Sequence, residues 1–307
     1  MSSRLDILGV QAFVAIAELG TFRRAASHLH LSESALGRRL KKLEDDLGVR
    51  LLLRTTRAVS LSQEGAEFLP RARAVVHDLA ASLDSLRSPG GNPTGTVRIG
   101  CLPTVAALLL SPLLRDFAEA YPQVRVQIFD RSATEIREAV LNGEVDFAIT
   151  VAGQPHAKLV AEKLFSEPMV VACPAGHRLA KRKFVTWAQL GKEALISIGN
   201  QSANRALIED LVRGQSLQLS WAYQVEHLAT AVSLVAGGRG VAILPRAAVA
   251  ERKDESIRVL ALREPVLKRD VVLLSRRLPM SSIASLFARL VRRELPALEG
   301  QGRARSA

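Results

Sequence analysis

The segment TFRRAASHLHLSESALGRRL, Thr21–Leu40, contains two apolar helical patterns separated by the short interval LHLS. The first pattern places Phe22, Ala25, Ala26 and Leu29 at i, i+3, i+4 and i+7, the spacing of one face of an α-helix. The second begins after Ser32 and places apolar residues at Leu36, Leu40, Leu43 and Leu47. Two helices joined by so short a connection predict a helix-turn-helix, whose second helix can enter the major groove of DNA.

The residues that bound these helices support the same reading. Thr21 and Ser32 stand where helix N-caps are expected, because their hydroxyls can accept free backbone N–H groups. Gly48 stands where the second helix should end. Another amphipathic helix precedes the pair and ends before Gly20; its apolar residues are Val10, Phe13, Val14 and Ala17.

Charge is sorted along the second helix of the pair. Its basic residues lie toward the N-terminal side, whereas Glu44, Asp45 and Asp46 are confined to the far end. Small or polar residues in the first turns would allow the backbone close to base edges. The alternative is that all three helices carry ordinary solvated basic faces.

The stretch after Gly48, VRLLLRTTRAVSLS, is rich in β-branched residues and predicts a short hairpin wing that contacts phosphate. The residues predicted to contact DNA are Thr21, Arg23, Arg24, Ser32, Glu33, Ser34, Ala35, Gly37, Arg38, Arg39, Lys41, Lys42, Arg54 and Arg57.

Glu33 is the one acid in this set, and two readings of it remain open. In the first turn of a helix, a carboxylate interacts favourably with the helix dipole. The same turn faces the major groove, where a carboxylate can accept a hydrogen bond from the amino group of cytosine.

The whole chain has 307 residues and a net charge of +12, which predicts several domains and a polyanionic partner. The longest apolar run, VAALLLSPLL, is too short for a bilayer span, and the N-terminus lacks a signal-peptide core, so a cytoplasmic protein without a membrane partner is expected. Cys101 and Cys173 are read as buried hydrophobes, and no Cys/His spacing predicts a metal. No cofactor is expected.

The run from Phe13 to Gly65 resembles the DNA-binding domain of LysR-type transcriptional regulators. The resemblance rests on the paired Ala25 and Ala26, on KKLEDDLG at the helix end, and on the L-x-R-x-x-R wing that begins at Leu52. Three positions depart from the family, which usually has Gln in place of Glu33, Ser in place of Gly37 and Phe in place of Leu52.

Residues 63–88 predict one long linker helix with a coiled-coil seam made of Leu69, Ala72, Val76, Leu79, Leu83 and Leu86. A helix packed on its own domain is the alternative, and Pro70 should kink the helix near its start. The family resemblance favours dimerisation, because similar regulators dimerise through a linker helix. RSPGGNPTG ends this helix, which predicts a hinge at 89–95.

Beyond the hinge, strand-like and helix-like segments alternate as βαβαβ and predict a parallel sheet. Ser132 and Glu135 form a predicted capping box. The resemblance implies a two-lobed α/β effector domain like a periplasmic binding protein at 96–295, with lobe I at about 96–162 and 268–295 and lobe II at about 163–267. Residues 296–307 are expected to be disordered.

Polar residues follow several of the predicted strands, at the sheet edge where ligands bind in open α/β folds. The candidate effector-binding residues are Thr104, Ser132, Thr150 and Asn200. Each could equally be a helix cap or turn residue. GGRG at Gly237–Gly240 lacks the order and lysine of a phosphate loop, and no nucleophile motif occurs, so an enzyme is not expected.

The combined prediction is an α/β protein with a winged helix-turn-helix at 1–62, a linker helix and an effector domain. It is expected to bind inverted-repeat operator DNA as a homodimer or homotetramer and to respond to a small, anionic effector. RNA polymerase would be a further partner of an activator. The competing class is a cytosolic or periplasmic-type α/β binding protein or enzyme with an incidental basic N-terminus.

Overall fold

The computed structural model describes residues 6–54, 59–87, 93–199, 202–215, 217–249 and 255–304. These form two compact units. The first contains the described residues through Arg87 together with Leu141–Glu144 and Met280–Ser282, and the second contains the remainder.

The first unit begins with three helices that bury one apolar face each. They are α1 (Ile7–Leu19), α2 (Phe22–His28) and α3 (Glu33–Leu47). Their shared core includes Phe13, Ile16, Ala25, Leu36 and Leu40, all fully buried or nearly so. The predicted apolar rows therefore form this core, except that Leu47 at the end of α3 is exposed and Ala17 of α1 is only half-buried and lies outside the core.

The predicted helix boundaries are confirmed by their caps. The Thr21 hydroxyl accepts the backbone N–H of Arg24 at 3.2 Å, and the Ser32 hydroxyl accepts that of Ala35 at 3.2 Å. Gly20 and Gly48 have φ of 75° and 70° at the ends of α1 and α3, a conformation that glycine adopts without the Cβ clash other residues suffer.

The predicted wing is a two-stranded antiparallel hairpin, β1 (Leu52–Arg54) and β2 (Val59–Leu61). Helix α4 (Gln63–Arg87) follows it directly and contains Pro70. A side chain at Gly65 could not be accommodated, because its Cβ would lie 2.0 Å from the carbonyl oxygen of Leu51. Glycine at this position therefore allows the start of α4 to pack directly on the backbone of Leu51, the residue before the wing.

Helix α4 corrects part of the predicted dimer seam. Ala72 is 1% exposed within the first unit's own core, and Leu69 and Val76 pack against that core. Phe68 stacks on Phe13 of α1 with ring centroids 5.7 Å apart. A heptad spacing fits a helix that packs on its own domain as well as one that packs on a second chain. Ala72 serves the first purpose, and an interface with a second chain along α4 stays a prediction. The side chain of Leu86 lies outside the described residues.

The second unit starts with the predicted βαβαβ arrangement. Its elements are β3 (Gly95–Cys101), α5 (Pro103–Val105), a π-helical turn (Ala106–Leu110), α6 (Ser111–Ala120), β4 (Val124–Asp130), α7 (Ala133–Leu141) and β5 (Phe147–Val151). Strand β3 pairs in parallel with both β4 and β5, which confirms the predicted parallel sheet. Helix α6 and the C-terminal helix pack on this sheet through Phe117, Phe147 and Phe287.

The rest of the unit is built around two long strands, β6 (Leu159–Pro174) and β12 (Lys268–Arg276). Between them lie a 3₁₀ turn (Arg178–Lys181), β7 (Phe184–Thr186), α8 (Trp187–Leu190), β8 (Leu195–Ile198), α9 (Ala203–Gly214), β9 (Trp221–Val225), α10 (Leu228–Ala236), β10 (Val241–Pro245), a 3₁₀ turn (Arg246–Val249) and β11 (Ile257–Arg263). The strand order is β4-β3-β5-β12-β6-β10-β8-β9, with β11 beside β6 and β7 beside β11.

Strand β6 connects two sets of strands. Its first half pairs with β12, which in turn pairs with β5, and its second half pairs with β10 and β11. This arrangement fits the predicted strands that cross between lobes.

Residues 296–307 were expected to be disordered, and the helix that precedes them extends into this segment. Helix α11 spans Ser282–Ala304 and includes Pro296. The preceding Leu295 is fully buried, which anchors the helix, and Ala, Leu, Glu and Gln in the following stretch are good helix formers.

Candidate DNA-binding surface and ligand cleft

Helix α3 presents two contrasting faces. Leu36, Leu40 and Leu43 are buried against the other helices, which fixes the rotation of α3 about its own axis. Ser34 and Arg38 consequently lie on the exposed side, one helical turn apart. A helix held in this way offers polar and basic side chains to a groove while its apolar face holds it on the domain.

Most of the predicted DNA-contacting residues are accessible. The exposed ones are Thr21, Arg23, Arg24, Ser32, Glu33, Ser34, Arg38, Lys41 and Lys42, and the half-buried ones are Ala35, Gly37 and Arg39. The Arg54 side chain and all of Arg57 lie outside the described residues.

Some of these side chains also have partners within the protein. Thr21 and Ser32 cap α2 and α3, and the Ser32 hydroxyl lies 3.1 Å from that of Ser34. The Lys42 ammonium lies 3.8 Å from the carboxylate of Asp6, the N-cap of α1. Lys42 is therefore partly neutralised by its own domain, whereas Arg38 and Lys41 are the clearer candidates for an anionic partner.

Glu44 has a structural role that the sequence did not reveal. Its Oε1 accepts the backbone N–H groups of Leu51 at 2.8 Å and Leu52 at 3.1 Å. The Ser62 hydroxyl donates to the carbonyl oxygen of Arg50 at 2.6 Å on the same segment. These contacts fix the wing relative to α3, so one acid at the far end of α3 positions the wing.

Two of the candidate effector residues follow the carboxyl ends of neighbouring parallel strands. Cys101 of β3 is paired with Asp130 of β4 and with Ile149 of β5. Thr104 and Ser132 lie three and two residues beyond the ends of β3 and β4, at one edge of the sheet. Thr150 was predicted to follow the third strand but lies within β5, where it pairs with Val272 of β12. Asn200 lies outside the described residues.

The three differ in their hydrogen bonding. Ser132 is engaged in the predicted capping box: its hydroxyl donates to Glu135 at 2.7 Å, and its backbone N–H donates to the same carboxylate at 3.1 Å. These bonds lower the pKa of Glu135. Thr150 is 2% exposed, and its hydroxyl has no hydrogen-bond partner among the residues that the structure describes. Thr104 accepts a hydrogen bond from Arg269, at 3.5 Å.

Arg269 and Glu167 are the residues that sequence reasoning missed. The Arg269 Nε and Nη2 atoms lie 2.7 Å and 2.6 Å from Glu167 Oε2, and Arg269 Nη1 donates to Asn204 Oδ1 at 3.1 Å. Both partners of the ion pair are buried. A guanidinium thus lies in contact with Thr104 at the predicted ligand-binding edge, already neutralised by a carboxylate of the same chain.

Neither cysteine is placed for redox chemistry. Cys101 and Cys173 are fully buried in β3 and β6. Burial, with Asp130 nearby, raises the pKa of Cys101 to about 12, and burial, with Glu193 nearby, raises that of Cys173 to about 11. Both thiols therefore stay protonated near neutral pH and lack the thiolate character that makes cysteines reactive.

Among the described residues, no cluster of histidine, cysteine and acidic side chains could hold a metal ion. In the same part of the chain, no helix combines the length and the apolar character needed to cross a membrane.

Comparison with protein families gives two matches that follow one another along the chain. Residues 9–66 match the family described as "Bacterial regulatory helix-turn-helix protein, lysR family". Residues 90–296 match the "LysR substrate binding domain".

Similar proteins of nearly full length are known. The uncharacterized HTH-type transcriptional regulator YbhD of Escherichia coli strain K12 is 34% identical over 288 residues, which cover 93% of this chain and 91% of YbhD. The DNA-binding transcriptional dual regulator OxyR of the same organism is 28% identical, with 93% of each chain covered.

Solved structures share the fold over the same length. Full-length OxyR from Pseudomonas aeruginosa aligns with a TM-score of 0.78 at 24% identity and covers 95% of this chain and 94% of its own. Full-length CbnR in complex with its target DNA aligns with a TM-score of 0.65 at 24% identity and covers 94% of this chain and 99% of its own.

Proposed function

Because this chain belongs to the LysR family of transcriptional regulators, with a helix-turn-helix domain followed by a LysR substrate-binding domain, we propose that α3 is the helix that reads its operator. The observation that carries the proposal is the face of α3 opposite its buried leucines, where Ser34, Arg38 and Lys41 are exposed beyond a Ser32 cap. Arg23 and Arg24 of α2 would contact the backbone phosphates, and Arg54 and Arg57 would do so from the wing.

The regulator is proposed to act as a dimer or tetramer on inverted-repeat half-sites. On α4, Leu79 is half-buried and Leu83 is 43% exposed beyond the part that packs on the first unit's core, and Val75 is 53% exposed beside it. Apolar side chains left exposed on a long helix support an interface with a second copy. RNA polymerase is a further proposed partner if the protein activates transcription, and the cytoplasm is its proposed location.

The second unit is proposed to bind a small, anionic effector near Thr104, Ser132, Thr150 and Asn200. Support comes from the strand ends of β3 and β4, which meet at one edge, and from the buried hydroxyl of Thr150 in β5, which has no hydrogen-bond partner in the described part of the chain. The proposed boundaries are 1–62 for the DNA-binding domain, 63–88 for the linker, 89–95 for the hinge and 96–295 for the effector domain. Lobe I of the effector domain would comprise about 96–162 with 268–295, and lobe II about 163–267. Effector binding is proposed to change DNA binding by the protein rather than to start a catalysed reaction.

Several relatives are named as hydrogen peroxide-inducible genes activators, but a thiol-based peroxide response is not proposed for this chain. The sequence contains two cysteines, and both are buried with raised pKa values. A thiol that reacts with peroxide needs thiolate character and access.

The proposal is tested by incubating the full-length protein with fragments of the host's genomic DNA and sequencing those retained. We expect enrichment of a few sites that contain inverted-repeat half-sites, and loss of that enrichment in the variant Arg38→Ala. The matched control is Arg115→Ala, which removes another exposed arginine from the second unit. A fragment pool that stays as diverse as the input would contradict the proposal.

A further inference from the structure

A groove of about 490 Å³ lies between α3 and the segment that leads from α3 into the wing. Its lining includes Gly37, Lys41, Glu44 and Asp45 of α3 and Gly48 and Arg50 after the end of the helix. Two of these residues are cations, and Arg50 is not among the residues predicted above to contact DNA. The groove therefore holds an unassigned arginine next to the helix that is proposed to read the operator.

The groove adjoins the face of α3 that is proposed to enter the major groove. Gly37 and Lys41 follow Ser34 by three and seven residues, so they lie on the same face of the helix as Ser34. The major groove is about 12 Å wide, and a helix inside it has a sugar-phosphate backbone on either side. A recess along one side of the reading face is therefore placed to meet one of these backbones.

Glycines leave the recess open. In the described part of the chain, a Cβ at Gly37 or at Gly48 would meet no atom within 4 Å other than those of its chain neighbours or its own helix backbone. Gly48 also has φ of 70°, a conformation that strains most other residues. Space beside α3 is thus available to a group from outside the protein.

The backbone of Arg50 is held in place, whereas its side chain is free to bind. The Arg50 carbonyl oxygen accepts the Ser62 hydroxyl at 2.6 Å, and the next residue, Leu51, donates its N–H to Glu44 at 2.8 Å. Arg50 is exposed, and its side chain has no ion-pair or hydrogen-bond partner among the residues that the structure describes. An arginine with a fixed backbone loses less conformational freedom on binding, which favours a defined contact.

The charges that line the groove favour an anion once the hydrogen bonds are counted. Lys41 is exposed and, like Arg50, has no ion-pair partner within the described ranges. The Glu44 carboxylate is already bonded to two backbone N–H groups of the segment that follows α3. Asp45 is the remaining acid, and it is exposed. A guanidinium can bind a phosphate through two parallel hydrogen bonds, which makes Arg50 the better of the two cations for this purpose.

We propose that this groove binds one phosphate of the operator backbone and that Arg50 holds it, with Lys41 on the α3 side. This inference rests on the proposed role of α3 as the reading helix, and the contact would add to those proposed for α2 and the wing. A backbone phosphate carries no sequence information. The contact should therefore raise the affinity for every DNA sequence without selecting among them.

The test measures the binding of full-length Arg50→Ala, over a range of salt concentrations, to a synthetic duplex with the sequence enriched in the genomic selection. Loss of one phosphate contact should make the slope of log K against log salt about 0.9 shallower. Over the tenfold range from about 1 M to about 0.1 M salt, this difference amounts to roughly 8-fold weaker binding at the lower concentration. The Tm should equal that of wild type, because the Arg50 side chain is exposed.

Three further variants separate this contact from a general effect of charge. Arg50→Lys keeps the charge and should keep most of the wild-type slope. Arg71→Ala removes an exposed arginine of α4 that does not line the groove, so its slope should equal that of wild type. Asp45→Asn removes the exposed acid from the groove and should strengthen binding to every sequence by a similar factor.

A neutral methylphosphonate linkage, placed at one backbone position at a time, identifies the phosphate itself. At one position of each half-site, we expect the neutral linkage to weaken binding by wild type and to have little further effect on Arg50→Ala. The linkages at other contacted positions should weaken both proteins to the same degree.

The proposal is overturned if the slope for Arg50→Ala equals that of wild type, if this variant changes the preferred base at a half-site position, or if every neutral linkage affects the two proteins alike. A wild-type protein that enriches a few genomic sites but binds with a slope independent of Arg50 would refute this contact and leave the proposed function standing. Failure of wild type to enrich any site would refute the proposed function itself.

Discussion

Replacement of Glu33 by glutamine separates two roles for the one acid at the start of the recognition helix. Ser32 caps α3 by accepting the Ala35 N–H at 3.2 Å, and Glu33 follows it as an exposed residue in the first turn. The cap itself survives the substitution, because Ser32 supplies it. What changes is one negative charge near the positive end of the helix dipole and, on DNA, one hydrogen-bond acceptor that becomes an amide.

The two roles predict free-energy changes of different size and with a different dependence on the DNA sequence. Loss of an exposed charge at a helix N-terminus lowers the free energy of unfolding by about 0.3 to 1 kcal/mol. It should alter the affinity for every DNA sequence to a similar degree. A base contact, by contrast, discriminates by about 1 to 3 kcal/mol, or about 5- to 150-fold in affinity at one base pair. Glutamine prefers adenine, so the preferred base at one half-site position should change from cytosine.

The assay is fluorescence anisotropy with the selected operator and with variants that carry all four base pairs at each half-site position. Urea unfolding of the same proteins measures the stability term. Asp45→Asn is the matched control, because it removes an exposed acid from the far end of the same helix. We expect Glu33→Gln to change the preference at one position and Asp45→Asn to change none. A uniform shift across all sequences for Glu33→Gln would refute base reading by this residue.

Three further predictions concern the remainder of the chain. Replacing Leu79 and Leu83 together by Asp should abolish dimerisation through α4 and reduce operator affinity sharply. The control variant Leu278→Asp, at another exposed leucine, should leave the sedimentation coefficient unchanged. A double variant that still sediments as a dimer and binds the operator as wild type does would exclude this interface. Lys163 and the Ser166 hydroxyl hold the pKa of Asp270 below its usual value, so its contribution to stability is present above about pH 4 and is lost as the pH falls through the lowered pKa. In thermal unfolding, the free energy of unfolding of Asp270→Asn should therefore be lower than that of wild type by about 1 kcal/mol or less at pH 7 and equal to it at low pH. A difference that stays constant at all pH values would argue against a stabilising ion pair. The two buried cysteine thiols should resist iodoacetamide at pH 8 in the folded protein and react once it is unfolded in urea, and rapid labelling of the native protein would contradict their burial.

The helix-turn-helix could be predicted from the sequence because local signals agree there. The apolar spacing, the Thr21 and Ser32 caps and the glycines at helix ends all act within a few residues of one another. The parallel direction of β3, β4 and β5 also followed from the local alternation of strands and helices.

Other features depend on contacts that a local pattern does not encode. The heptad spacing of α4 predicted an interface but could not distinguish a second chain from the first unit's own core, where Ala72 lies. The full length of β6 could not be predicted from the sequence, because its first half carries exposed polar residues, such as Glu162 and Lys163, and is defined by pairing with β12. Arg269 and Glu167 meet across 102 residues, so neither could be recognised as a partner before the fold was known.

The most direct test of the account is the salt dependence of operator binding, measured by anisotropy between about 50 and 200 mM salt. Four phosphate contacts per chain, from Arg23, Arg24, Arg54 and Arg57, would give a slope of log K against log salt of about −3.6 per chain, and loss of one such contact should make the slope about 0.9 shallower. We predict a steep slope for wild type and a shallower one for Arg24→Ala. An affinity that stays constant across this range would contradict DNA binding through the exposed basic face of α2 and α3.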